Sequence, residues 1–468
     1  MAAQNPNPSD AQNPSDSRWD VEFDRAFEQL SQLVDFDDVD RMFPVAPNGI
    51  YTTALVLWML VYQRMSSDSS LEAAVKKMIE ARPVFLRPNK RVEEGTLSSA
   101  TGTYSRARTR MPLEAAKWLA EGVSQSLIDA SPPTYRGRRI FMLDGTTVTL
   151  APEEELQQQF PPASNQFGEG VWPVVLLVVA HEMASGAALI PEVGPMYGPN
   201  AVSETALVRR CLEQMPADGI AMADAGFGIF RVAYEARQTG RAFLLRMTKA
   251  RFMALRKKAT PLSEGKNWKS YSHTWRPSAQ ERRKHPDLPE DAALEVWLHE
   301  VEISDKLTLY LVADLMDEED MALALAAAYK QRYDVELDIR NLKVVLDTET
   351  IRAKSVEMFQ KELLASVVVY NLVTQFRRQA AEQVDLPPRS LSFKRTWTTF
   401  CTFLLSAMYT DPESWRGRYR LALHYAMQDK LPHRPGRSYE REAYSRRPTS
   451  AQFKRRKPKR DPPKENPK

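Results

Sequence analysis

The chain has 468 residues, more than one hydrophobic core of ordinary size serves, so roughly two to four domains are expected. Its content is 43% apolar and 26% charged, as in a globular protein, and its only two cysteines, Cys211 and Cys401, lie far apart, which excludes a disulfide-built scaffold and points to a reducing compartment. The net charge of +4 conceals an asymmetry: residues 434–468 hold 13 Lys or Arg against 4 Asp or Glu, a local +9, so the rest of the chain is net acidic. The apolar run from Val174 to Ala180 is too short to span a bilayer, and the first residues lack the basic and apolar regions of a signal peptide, so a cytoplasmic protein is expected.

Residues 1–18 are a Gln, Asn, Pro and Ser run without apolar period and are expected to be disordered. From Trp19 to about residue 134 apolar residues recur at helical intervals, through Tyr51 to Met65, Leu71 to Met78 and Met111 to Leu127, which predicts an all-helical module. Within it a polar helix ends on Arg106, Arg108 and Arg110. It reads either as a DNA-reading helix or as a surface helix whose arginine stems cover apolar neighbours.

From Gly137 strands take over. Residues 138–150 form a β-branched, apolar strand with Asp144 at its middle, where an ionised carboxylate needs a partner or a metal and the run supplies no cation beside it. Residues 171–181 and 187–194 predict a hairpin turned at Ala184-Ser185-Gly186; Ser203 caps a helix to Gln214; and 219–224 is a short strand ending on Asp224, followed by glycines that open a turn. A helix over 228–238 and a strand over 242–247 complete a pattern of three antiparallel strands and then strand-helix repeats, the ribonuclease-H-like order. Residues 248–316 then intervene, with strand-like runs at 293–302 and 307–314, and predict an inserted β-rich subdomain. There Trp268 and Trp275 alternate with basic residues, which suits either base stacking with phosphate contact or the insertion's own small core.

The densest chemistry follows. Tyr329, Arg332, Glu336 and Lys343 stand at offsets that, at about 100° per residue, place a phenol, a guanidinium, a carboxylate and an ammonium on one stripe of a single helix. Such a stripe is either a solvated face or a carboxylate for a divalent metal ringed by donors for phosphate oxygens. Beyond it, Ile351-Arg352-Ala353-Lys354-Ser355 leads into a long apolar helix, and Pro387-Pro388-Arg389-Ser390-Leu391-Ser392-Phe393 lies within a helical C-terminal segment over 381–432. Residues 433–468 form a basic, proline-broken tail, expected to be disordered and either solubilising or free to meet a polyanion. The six histidines have no zinc spacing and no Walker-type glycine loop is present, so neither zinc nor a nucleotide cofactor is expected.

Strand-Asp144, strand-Asp224 and helix-Glu336, with Tyr-x2-Arg-x3-Glu-x6-Lys around the glutamate, resemble the DDE transposases of insertion sequences of the IS-four type, over roughly residues 137–400. The resemblance implies an α+β or α/β architecture. In it a helical DNA-binding domain (19–134) precedes a ribonuclease-H-like core (137–247 and 317–380) interrupted by the β-rich insertion (248–316). It implies Asp144, Asp224 and Glu336 as catalytic ligands of two Mg²⁺ or Mn²⁺ ions, and Tyr329, Arg332, Lys343, Arg352 and Lys354 as DNA contacts. It also implies cut-and-paste chemistry through a DNA hairpin, with base flipping in the insertion, on double-stranded terminal repeats and target DNA, in a homodimeric synaptic complex. Two alternatives stay open: a metal-dependent nuclease or resolvase of the same fold, and a catalytically silent DNA-binding regulator.

Overall fold

From Ala54 to Val61 the sequence is apolar at every position, so the helix Thr53–Met65 (α2) has no face to give to water and lies buried. Thr52 caps it, its hydroxyl accepting from Leu55 N at 3.1 Å. The computed structural model describes residues 37–431 apart from 46–48, 82–85, 166–167, 306, 316–320, 347–350, 352 and 408–411. The expected disordered N-terminus, the basic tail and Arg352 therefore lie outside the described residues. Around α2 come α1 (Asp37–Met42), α3 (Leu71–Ala81), α4 (Lys90–Glu93), α5 (Gly102–Arg110) and α6 (Leu113–Asp129).

A ten-stranded sheet follows: β1 (Arg139–Thr149), β2 (Pro162–Asn165), β3 (Gly168–Glu182), β4 (Glu192–Pro195), β5 (Gly219–Ala223), β6 (Ala242–Arg246), β7 (Thr260–Gly265), β8 (Trp268–Trp275), β9 (Leu294–Ser304) and β10 (Leu307–Ala313). Its order is β2-β3-β1-β5-β6-β10-β9-β8-β7, with β4 also on β3. β1 is antiparallel to β3 and parallel to β5, and β5 is parallel to β6. The predicted hairpin is present, but its second strand is only β4. Gly186 turns it at φ +76°, a conformation that glycine adopts without strain.

Alternation along β1, β5 and β6 sorts the core into two faces. Phe141, Leu143, Ala221, Ala223, Phe243 and Leu245 pack under α8 (Glu204–Gln214) and α9 (Phe230–Gln238). Ile140, Met142, Ile220, Met222 and Leu244 join the cluster that holds α12 (Met321–Lys330), α13 (Tyr333–Leu346) and α14 (Val356–Glu382), with α2 and α6 packed along α14. The remaining helices are α7 (Glu154–Gln159), α10 (Lys249–Arg256), α11 (Ala279–Lys284), α15 (Phe393–Ala407) and α16 (Pro412–Ala426).

The strands of residues 248–316 continue the main sheet: β10 pairs with β6, and β9, β8 and β7 follow, so that β6 has no unpaired edge there. One expectation is corrected here. The run from Tyr329 to Lys343 is not one helix. It breaks after Lys330, where Gln331 and Arg332 make three-residue turn bonds to Ala328 O (3.1 Å) and Tyr329 O (3.0 Å) before α13 begins.

Candidate active site

Leu143 of β1 is in register with Ala223 of β5, and β5 ends there. The next residue on each strand is an aspartate. Asp144, midway along β1, and Asp224, just past the end of β5, therefore sit side by side on adjacent parallel strands, on the face of Met142 and Met222, which is the face that carries α13. Each carboxylate is fixed locally, Asp144 Oδ1 accepting from Gly145 N and Asp224 Oδ1 from Gly226 N, both at 2.8 Å. The second bond is an Asx turn, the use of the glycines expected after Asp224. Gly228 completes that turn, packed so closely on the Arg246 carbonyl that a Cβ has no room.

Glu336 lies in the first turn of α13, 42% exposed, and Arg332 Nη2 donates to its Oε1 at 2.9 Å. Burial pushes the Asp144 carboxyl above the ordinary aspartate value, with Asp224 and Glu336 adding repulsion and Arg332 and the Gly145 N–H opposing it. Tyr329, at the end of α12, is buried beside Arg332, Arg246 and Asp224, and burial raises its phenol to about 12. The helix break thus keeps Tyr329, Arg332 and Glu336 in one neighbourhood by a turn rather than by a continuous stripe. Lys343 is half-buried two turns further along α13, and Lys354 is exposed, 3.3 Å from Glu153.

Other expected contacts are not free. Arg108 is 8% exposed because its guanidinium turns inward to Glu362 of α14 at 2.5 Å, with Arg64 at 3.7 Å from the same carboxylate. Lys361, also on α14, donates to the carbonyls of Arg108 and Thr109 at 3.1 Å each and so closes the C-terminal end of α5. Arg106 and Arg110 remain exposed. Trp275 is core, edge-on to Phe230 at 5.6 Å between centroids, so it is not a base-stacking platform; Trp268 is only partly buried.

The sequence reading missed the anchor behind Glu336. Asp338 is fully buried, accepting from Arg389 Nη2 at 2.7 Å, with Arg377 Nη2 at 3.9 Å; Arg389 Nη1 also donates to Met183 O at 2.7 Å and stands 3.7 Å from Asp334. Asp334 and Asp338 flank Glu336 by two residues on either side, so this network fixes the helix that presents it. His181 is buried against the same cluster, and burial lowers its imidazole to about 4. Their irregular polar pattern within apolar stretches was the available signal.

A strand-borne aspartate, a second beside it on the neighbouring parallel strand and a glutamate on a helix over the same face gather hard oxygen donors on one side of the sheet. The profile of the family described as "Transposase DDE domain" matches residues 135–372, about half of the chain, and the chain belongs to that family. It is 22% identical over 400 residues to the transposase InsG for insertion sequence element IS4 of Escherichia coli (strain K12), covering 83% of this chain and 84% of that protein. A cryo-EM structure of a piggyBac transposase synaptic complex with hairpin DNA aligns over 89% of this chain and 86% of that one, at 10% identity and a TM-score of 0.37. The function is that of an insertion-sequence transposase.

Proposed function

We propose that Asp144, Asp224 and Glu336 are the catalytic carboxylates of a ribonuclease-H-like core that cleaves and joins transposon ends, probing DNA with the charge set around Arg332. The observation that carries this reading is the side-by-side placement of Asp144, midway along β1, and Asp224, just past the end of β5, with Glu336 over the same face. The strand order β4-β3-β1-β5-β6, with only the first two pairings antiparallel, supports that core.

The donor set fits Mg²⁺ or Mn²⁺: hard carboxylate oxygens whose mutual repulsion a single nearby guanidinium only partly offsets. Among the described residues no three such groups already stand at ligand geometry, and Glu336 is engaged by Arg332. Bound divalent ions, two in the reading proposed, supply an activated water or 3′ hydroxyl and charge stabilisation at the leaving oxygen. The protein's own part is positional. Asp144 and Asp224 are each held by one backbone N–H group, which leaves the second carboxylate oxygen of each for a ligand. Arg332, freed from Glu336 when a phosphate takes its guanidinium, and Lys343 neutralise the backbone of the transposon end, while Tyr329 walls the site against water. Lys354 and the exposed Arg106 and Arg110 extend phosphate contact. Double-stranded terminal repeats and target DNA are the substrates, handled by a homodimer in a synaptic complex with a hairpin intermediate.

The test is substitution of each carboxylate by its amide. Asp144→Asn, Asp224→Asn and Glu336→Gln are expected to abolish strand cleavage and joining with Mg²⁺ while end-DNA binding stays within about tenfold, because charge is lost at the chemical step and not at the phosphate clamp. A variant that cleaves donor DNA at the wild-type rate removes its residue from the assignment.

A further inference from the structure

The turn that carries Asp224 has no polar side chain besides the aspartate with which to hold its own shape, since Ala225, Gly226, Phe227 and Gly228 follow. Phe227 is buried on the α8 and α9 face, Gly228 rests against the Arg246 carbonyl, and Gly226 is exposed. A brace comes from α10. Arg251 Nη1 donates to Ala225 O at 2.9 Å and to Gly228 O at 3.4 Å, so one guanidinium ties the two ends of the turn together. Arg251 has a fixed base of its own. The Thr248 hydroxyl caps α10 by accepting from Arg251 N at 3.3 Å, and the next residue, Phe252, is fully buried with its ring centroid 5.0 Å from that of Tyr310 on β10. The guanidinium that spans the turn therefore projects from a helix docked on the sheet.

We propose that Arg251 is a positioning residue for Asp224: by spanning the carbonyls of Ala225 and Gly228, it keeps the turn in the form in which Gly226 N holds Asp224 Oδ1 at 2.8 Å. The inference rests on the reading of Asp224 as a catalytic carboxylate given above. The two aspartates are not equally secured by the sheet. Asp144 lies within β1 and is paired with Val179 of β3, whereas Asp224 lies past the last paired residue of β5 and depends on its turn. A guanidinium suits the task because its N–H groups are charged, rigidly arranged donors, which a flexible ammonium does not reproduce. The competing role for an exposed arginine at this rim is to meet a DNA phosphate with its charge. That role makes no use of two backbone acceptors three residues apart on the turn of Asp224.

The experiment pairs two measurements on the full chain: hydrogen–deuterium exchange without DNA or metal, and Mg²⁺-dependent cleavage of an end duplex. Arg251 is exposed, so Arg251→Ala should fold. It is expected to speed amide exchange over residues 224–229 while β1 and β3 exchange as in the wild type, and to lower kcat about tenfold with KM for the duplex unchanged. Arg251→Lys should recover part of both, because an ammonium can meet a carbonyl without the guanidinium's fixed span. Asp224→Asn is run beside them. If it is inactive while Arg251→Ala exchanges and cleaves as the wild type does, Arg251 positions nothing and the reading of Asp224 stands. Faster exchange with an unchanged kcat makes the brace structural only and refutes the proposal. Unchanged exchange with weaker duplex binding and a salt slope lower by about one makes Arg251 a phosphate contact instead. If Asp224→Asn cleaves normally, the reading of Asp224 falls and this inference with it.

Discussion

Replacing Arg389 by alanine removes the principal partner of a carboxylate that has no access to water. Asp338 Oδ2 accepts from Arg389 at 2.7 Å, and its other oxygen has only Arg377 at 3.9 Å. Breaking one side of a buried ion pair costs about 3–5 kcal/mol, and the retained Arg377 places the expectation at the lower end, about 3 kcal/mol. The carbonyl of Met183 loses its donor as well. The assay is urea denaturation followed by tryptophan fluorescence, with the midpoint shift read at constant slope. Because Asp334 and Asp338 bracket Glu336, the folded variant should also cleave DNA about tenfold more slowly, a barrier increase of about 1.4 kcal/mol, with its KM for end DNA unchanged. Arg389→Lys restores the charge but not the fork that reaches Asp338 and Met183 together, so it should recover part of both losses. A midpoint shift worth less than about 1 kcal/mol, or a normal cleavage rate in a destabilised protein, refutes the anchoring argument.

Arg332→Ala and Lys343→Ala should each weaken binding of an end duplex and lower its salt slope by about one, whereas Arg340→Ala, exposed on α13 but outside the Tyr-Arg-Glu-Lys set, should do less; a gel-shift titration at several salt concentrations decides, and the reverse order overturns the phosphate clamp. Arg108→Ala should destabilise the fold by about 3 kcal/mol, leaving Glu362 buried with only Arg64, and leave DNA affinity of the folded protein unchanged. Trp275→Ala should cost about 3–5 kcal/mol, while Trp268→Ala costs less; equal effects in denaturation would contradict their different burial. Asp144 has a raised folded-state value, so the folded protein holds a proton that the unfolded chain has released. Metal-free stability from this group is therefore present below the ordinary carboxylate range and lost as pH rises through its raised value. Divalent metal reverses that loss, so the rise in melting temperature on adding Mn²⁺ should grow as pH rises through that raised value, and a pH-independent rise would count against the site.

Much of the catalytic strand order was legible because each strand carries its own local signal. The β-branched run around Asp144 and the Asp-Ala-Gly turn after Ala223 both specify structure within a few residues, whereas Ser203 precedes its helix without a side-chain cap bond. What was not legible depends on pairing between distant segments. No local pattern says that β10 will close on β6, because an apolar strand suits a separate subdomain or the edge of an existing sheet equally well. Arg106, Arg108 and Arg110 look alike in sequence, yet Glu362, some 250 positions away, turns one of them inward. Trp275 resembles Trp268 until Phe230 supplies its neighbour.

The break after Lys330 shows how a residue set expected on one helix can be gathered by a different local geometry. On one continuous helix the stripe would present Tyr329, Arg332 and Glu336 to the same side by rotation alone. In the structure, Tyr329 ends α12 as part of the core, and a turn carries Arg332 across to the first turn of the next helix, where it meets Glu336. Two helices joined by the turn at Gln331 and Arg332 let the guanidinium meet an exposed carboxylate while Tyr329 stays buried. The same turn leaves α13 free to be fixed from behind by Arg389 and Arg377, so that Glu336 is held by its helix while its immediate partner is the Arg332 guanidinium on the turn before it.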